Sequence, residues 1–133
     1  MSISKRTAIL ALAGSLLTAH FSVPPAAAES VEETDKELAS CYGGARFYSK
    51  AAGGYTYPAS GYLRTTSRCN DINLKPRSSR TVSVCFKRTN RCNNAKWARG
   101  GQWNVIASNV RTGAGYYFLF SRYDLPSRGY FAH

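Results

Sequence analysis

Four cysteines, at positions 41, 69, 85 and 92, carry the most reactive groups of this chain. The stretch from Cys69 to Cys92, CNDINLKPRSSRTVSVCFKRTNRC, holds three of them with six Lys or Arg and a single Asp. Four thiolates could bind zinc, but there is no C-x-x-C pair, and beyond the N-terminal leader the only histidine is His133. An even cysteine count in an exported chain points instead to two disulfides. Neither a metal nor a cofactor is expected.

Catalytic sets are equally thin. Secreted nucleases and serine or cysteine hydrolases usually need a histidine beside a base or nucleophile. Oxidised cysteines leave no thiolate. A glycosidase needs two carboxyl groups at one site, and from Cys41 onward only Asp71 and Asp124 carry one on a side chain. Asp71 is expected to serve backbone donors or a nearby Arg, and Asp124 lies in the turn-like YDLP. No P-loop, G-x-S-x-G or dinucleotide fingerprint occurs. The sequence predicts no enzyme, which leaves binding.

Arginine is the residue type suited to that. From Cys41 onward there are 15 Lys and Arg, eleven of them Arg, against two Asp. The planar guanidinium fork matches phosphate and carboxylate. The predicted contacts are Lys75, Arg77, Arg80, Lys87, Arg88 and Arg91, in KPRSSR and FKRTNR on either side of one strand. If that strand links loops at opposite ends of the fold, they form two clusters rather than one patch. Aromatic residues interleave with base in ARFYSK, GYLR, KWAR, FSRY and SRGYF. Rings stack on sugars or bases while Arg contacts anionic groups. Tyr55, Tyr57 and Tyr62, in the uncharged GGYTYPASGY, are expected on an exposed loop of the binding surface. Phe86, Trp103, Tyr117 and the neighbours of Leu119 are expected in the core.

The elements that must position these residues are strands. From Cys41 helical periodicity is absent, and runs rich in Val, Ile, Thr and aromatic residues alternate with Gly, Pro, Asn and Ser clusters. Strands are predicted at 45–50, 61–67, 68–75, 80–87, 93–98, 102–108 and 115–122, with a bend near Ser67. Turns are expected at PRSS, ARGG and TGAG. The fold class is all-β, a small antiparallel β-sandwich, with a small β-barrel as the alternative. YYFLF, apolar at every position, is expected to be a central strand covered on both faces.

Three cysteine pairings are open, and the pattern favours one. In TVSVCFK, Val82, Val84 and Phe86 share a face, so Cys85 points to the other. A cysteine seven positions on suits a bridge across the FKRTNR hairpin, pairing Cys85 with Cys92. Cys41 then pairs with Cys69. Loop entropy gives these closures roughly 2.5 and roughly 3.5 kcal/mol. Alternation of Asn70, Ile72 and Leu74 places Cys69 opposite the aliphatic pair, a conflict unless a bulge intervenes.

The N-terminus reads as a signal peptide over 1–28: a basic MSISKR, an apolar TAILALAGSLLTA, and Ala26 and Ala28 in A-x-A register. No second apolar run follows, so the mature chain is expected to be secreted, with no integral membrane span. Residues 29–40 hold five acids against Lys36 and read as an acidic flexible tail, followed by a single β-domain over 41–133.

The pattern SCYGGARFYSK, RCNDINLK, TVSVCFK and GQWNVIASNVRTGAGYYFLF, spanning most of Ser40 to Phe120, resembles small secreted proteins of unknown function from actinomycete bacteria. The resemblance implies a secreted β-rich domain and brings no catalytic residue. The expected function is a secreted cationic module that binds an anionic polymer or cell surface, whether cell-wall polymer, acidic polysaccharide or extracellular nucleic acid. The alternative is a protein-interaction module with a secreted protein partner, such as an inhibitor or antimicrobial factor.

Overall fold

The computed structural model describes residues 38–133. The signal-peptide reading and residues 29–37 of the acidic segment lie outside the described residues, while residues 38–43 form a short helix that delivers Cys41. Among the described residues, no helix is long and apolar enough to cross a membrane.

Among the described residues, ten strands build two antiparallel sheets that are not closed into a barrel. The first has β1 (Arg46–Lys50), β10 (Ser127–Ala132), β4 (Ile72–Pro76) and β8 (Asn104–Ala107), in that spatial order. The second has β2 (Thr56–Tyr57), β9 (Gly115–Phe120), β5 (Arg80–Phe86) and β6 (Arg91–Cys92). In it β3 (Leu63–Arg64) also pairs with β9, and β7 (Lys96–Ala98) with β5.

The period-two alternation of β5 and β9 supplies one half of the core. Val82 faces Phe120 and Val84 faces Phe118, while Tyr116 is paired with Phe86. Against them the first sheet sets Tyr48, Ile72, Leu74, Ile106 and Phe131, all buried. YYFLF is central, flanked by β5 on one side and by β2 and β3 on the other. It is not covered equally: Tyr116, Phe118 and Phe120 are fully buried, whereas Tyr117 and Leu119 on the outer face are half-buried. An open sandwich, unlike a buried parallel sheet, has one inner face per sheet.

Both disulfides are Cys41–Cys69 and Cys85–Cys92, as the pattern favours. Cys85 and Cys92 stand directly opposite in the β5–β6 ladder. Cys69 raises no conflict because it lies before β4, just after the turn at Ser67 and Arg68, and a register shift between Ile72 and Asn73 breaks the alternation. Trp103 belongs to a satellite cluster with this disulfide, stacked on Tyr42 at 4.6 Å between ring centroids.

The C-terminal strand β10 has no counterpart among the predicted strands, although it is the second strand of the first sheet. Its SRGYFA stands out in the sequence only for aromatics interleaved with base, and it contains Gly129, a weak strand residue. That glycine is instead required by crowding: a Cβ there would collide with the Lys75 carbonyl oxygen on β4. His133 beyond it is held. Its Nδ1 and the Tyr116 hydroxyl share a hydrogen bond at 2.6 Å, and its carbonyl accepts one from Thr66 Oγ1. Burial first, and Arg46 second, favour the neutral imidazole, while burial pushes the Tyr116 phenol far up. Neutral ring and protonated phenol can share one proton in either direction, and the pair packs the sandwich end.

Candidate functional site

At one end of the sandwich, where β5 turns into β6 and the chain crosses from β8 to β9, lies a groove of about 670 Å³. That volume lies within the range of small-ligand sites, about 300–1,000 Å³. One wall is the turn Lys87–Arg88–Thr89, and the other is the loop over residues 108–115. Phe86 and Val110, both half-buried, supply apolar floor. Arg64, Lys87, Arg88 and Arg111 are exposed cations around it, and none of the described lining residues is acidic.

Both walls are fixed from outside the groove. In the turn, the Asn90 amide donates to the Phe86 carbonyl at 2.9 Å, with Asn90 at φ 53°, and Cys85–Cys92 closes the base. Asn adopts this left-handed geometry more readily than most residues. The 108–115 loop is clasped by buried Thr65. Its hydroxyl donates to the Arg111 carbonyl at 2.5 Å and accepts from the Ala114 amide at 2.9 Å. Its backbone exchanges bonds with Ala114 and Gly113. Asp71 Oδ1 accepts from the Asn109 amide at 3.2 Å, which is the backbone-serving role expected of it. The walls are therefore positioned before any ligand arrives, which lowers the ordering cost of binding.

Of the residues singled out in the sequence, the structure brings Lys87, Arg88 and Tyr62 to this end. Lys87 Nζ sits 5.2 Å from the Tyr62 ring centroid, and Tyr62 is half-exposed beside Tyr117. Arg91 is exposed on β6, paired with Phe86. The KPRSSR cations lie elsewhere, so the basic residues form two clusters. Lys75 lies on the outer face of the first sheet. Arg77 lines a smaller cleft of about 200 Å³ with Arg80, Pro126 and Arg128. Arg80 is committed to the backbone: Nη1 donates to the Ser79 carbonyl and Nη2 to the Pro126 carbonyl, both at 2.8 Å.

The three tyrosines separate likewise. Tyr55 is exposed and leans on Tyr123, with ring centroids 5.1 Å apart. Tyr57 is half-buried on β2 and packs against Tyr48 and Phe131, facing the core. GGYTYPASGY is therefore partly sheet, since Thr56 and Tyr57 pair with Leu119 and Phe118.

Sequence reasoning missed Arg64 and Arg111. Arg64 arrives through the β3–β9 pairing and bonds the Gly113 carbonyl at 3.1 Å. A local signal existed for Arg111, which stands immediately before the TGAG turn. At the far end of β5, Lys50 is buried and donates to the carbonyls of Ala51, Gly54 and Arg122 at 3.1, 2.7 and 3.3 Å. Burial, and then Arg80, lower its pKa. Nearby, Arg122 forks onto Asp124, a bond that holds this carboxyl down at about 2.

No known protein family, curated protein sequence or solved structure matches this chain.

Proposed function

We propose that this protein is an exported binding module for an anionic polymer, which it engages through the groove between the β5–β6 turn and the 108–115 loop. The observation that carries this reading is four cations, Arg64, Lys87, Arg88 and Arg111, around an apolar floor with no acidic lining residue. The cations suit phosphate, sulfate or carboxylate groups, and Phe86 and Val110 suit the carbon skeleton between them. Export is supported by the leader over 1–28, by the resemblance to secreted actinomycete proteins, and by two disulfides, which persist in oxidising compartments.

The test is retention of the oxidised protein on poly(glycerol phosphate), a base-free polyanion, at two salt concentrations. Four phosphate contacts, taken with the single-strand coefficient, predict a loss of roughly 50-fold between 50 and 200 mM salt. The variant R88E/R111E should lose most of the low-salt binding while keeping its melting temperature. Binding unchanged in that variant removes the groove as the site. Retention insensitive to salt would favour an aromatic-anchored protein partner instead.

A further inference from the structure

The outer face of the first sheet carries a second surface, independent of the groove. Half of this face is covered: Asn73 and Ala132 lie buried under the helix over 38–43 and the Cys41–Cys69 bridge, with Asn73 Nδ2 donating to Cys41 Sγ at 3.6 Å. The other half is open. Cross-strand register aligns Phe47 on β1, Tyr130 on β10 and Lys75 on β4 in one row. Because Leu74 faces Asn104, Trp103 with its stacked Tyr42 stands at the end of that row. Phe47 and Tyr130 are 51% and 48% exposed and meet edge to face, with ring centroids 5.9 Å apart.

A second row runs parallel to it. Ser49 faces Arg128, and the Arg77 amide continues the ladder to the Arg128 carbonyl at 2.8 Å. Both arginines are exposed. Neighbours within a row are about 4.8 Å apart, and the rows are separated by two residues of strand, about 6.7 Å. A row of rings beside a row of guanidinium groups, with Lys75 among the rings, is complementary to a chain whose flat apolar groups and negative charges are offset by one such step. Single-stranded nucleic acid has that layout, with bases to stack and phosphates set to one side. In an acidic sugar the carboxylate is borne directly by the ring, so one row would suffice. Among the described residues of these two rows none is acidic, so the charge complement is one-sided.

We propose that this open half-face binds single-stranded nucleic acid, with bases stacked on Phe47 and Tyr130 and the backbone following Arg128 and Arg77. The strand lies across β1, β10 and β4 rather than along them.

The test is fluorescence anisotropy of labelled dodecathymidylate, with an abasic strand of equal length and charge as the comparison. The parent should bind the thymidylate strand at least tenfold more tightly than the abasic strand. F47S and Y130S, both at exposed positions, should each weaken thymidylate binding about tenfold and leave abasic binding unchanged. R128Q should weaken both strands. R88E/R111E, which tests the groove, should leave the preference for bases intact. Equal affinity of the parent for both strands overturns the proposal. So does full thymidylate binding by F47S/Y130S that retains the parent's melting temperature, or a parent dimer that the same double variant dissociates. Loss of polyanion retention in R88E/R111E with a preserved base preference would support both surfaces. Preserved polyanion retention with lost stacking in F47S and Y130S would sink the groove alone.

Discussion

The two ends of β5 begin from similar material, KPRSSR on one side and FKRTNR on the other, and are built differently. At the Arg80 end, two cations are directed inward to backbone oxygen, while Arg77 and Arg128 stay exposed. Arg80 holds two carbonyls, and buried Lys50 holds three. Ser127, also buried there, bonds the hydroxyl of Tyr48 at 2.9 Å. At the Lys87 end, the loop carbonyls are largely met by backbone amides and by Thr65, so Lys87, Arg88 and Arg111 are left exposed around an apolar floor. A basic side chain is a brace where loop carbonyls lack partners and is left exposed where they have them.

The largest effect expected from this contrast is at Lys50. Lys50→Met keeps the aliphatic stem but strips three carbonyls of their donor, and should cost about 3 kcal/mol in a denaturant titration. A loss below about 1 kcal/mol would mean that water replaces the ammonium readily, and the Arg80 end would no longer count as a brace.

Next is the staple of the opposite end. Replacing Cys85 and Cys92 with Ser should cost roughly 2.5 kcal/mol by loop entropy. It should also weaken polyanion binding, because the turn bearing Lys87 and Arg88 loses its closed base. Unaltered binding in a folded double variant would show that the Asn90 turn positions those cations alone.

A smaller effect marks the Arg80 end in alkali. Burial raises the Tyr48 phenol to about 12, against smaller opposing effects of Ser127 and Arg80. The folded state therefore holds this proton more tightly than the unfolded chain. The stability it gives is fully present below pH 10 and is lost as pH climbs towards 12. Tyr48→Phe should lose about 1 kcal/mol at pH 7, through the missing Ser127 bond. It should then fall less steeply than the parent between those two pH values. Parallel curves would assign alkaline unfolding to Tyr116, whose phenol is shifted in the same direction.

The smallest change in stability is expected where the proposed function is greatest. R88E/R111E should leave the melting temperature where it was, since both side chains are exposed. A marked drop would show that these cations also serve the fold.

Much of the framework was legible because it depends on near neighbours. Val82, Val84 and Phe86 alternate against Cys85, and that alone directs the sulfur outward to a cysteine seven positions on. The strands at 46–50, 80–86 and 115–120 follow from runs of β-branched and aromatic residues. Strand β10 was not legible, because Gly129 lowers every local strand signal and its reason lies 54 positions back, at the Lys75 carbonyl.

By itself the sequence determined the chemistry available to this protein: cysteines for two cross-links, an excess of arginine, many aromatic rings and, from Cys41 onward, few carboxylates. It did not determine which of these meet. Arg64 joins Arg111 through β3 and β9, and Phe47 joins Tyr130 and Lys75 through β1, β10 and β4. Only tertiary structure decided that Arg80 and Lys50 are consumed by carbonyls while Arg88 and Arg111 are not. Alternation along a strand is set within a few residues. Pairing between strands, and so the partner each charged group finds, is set by contacts distant in the chain.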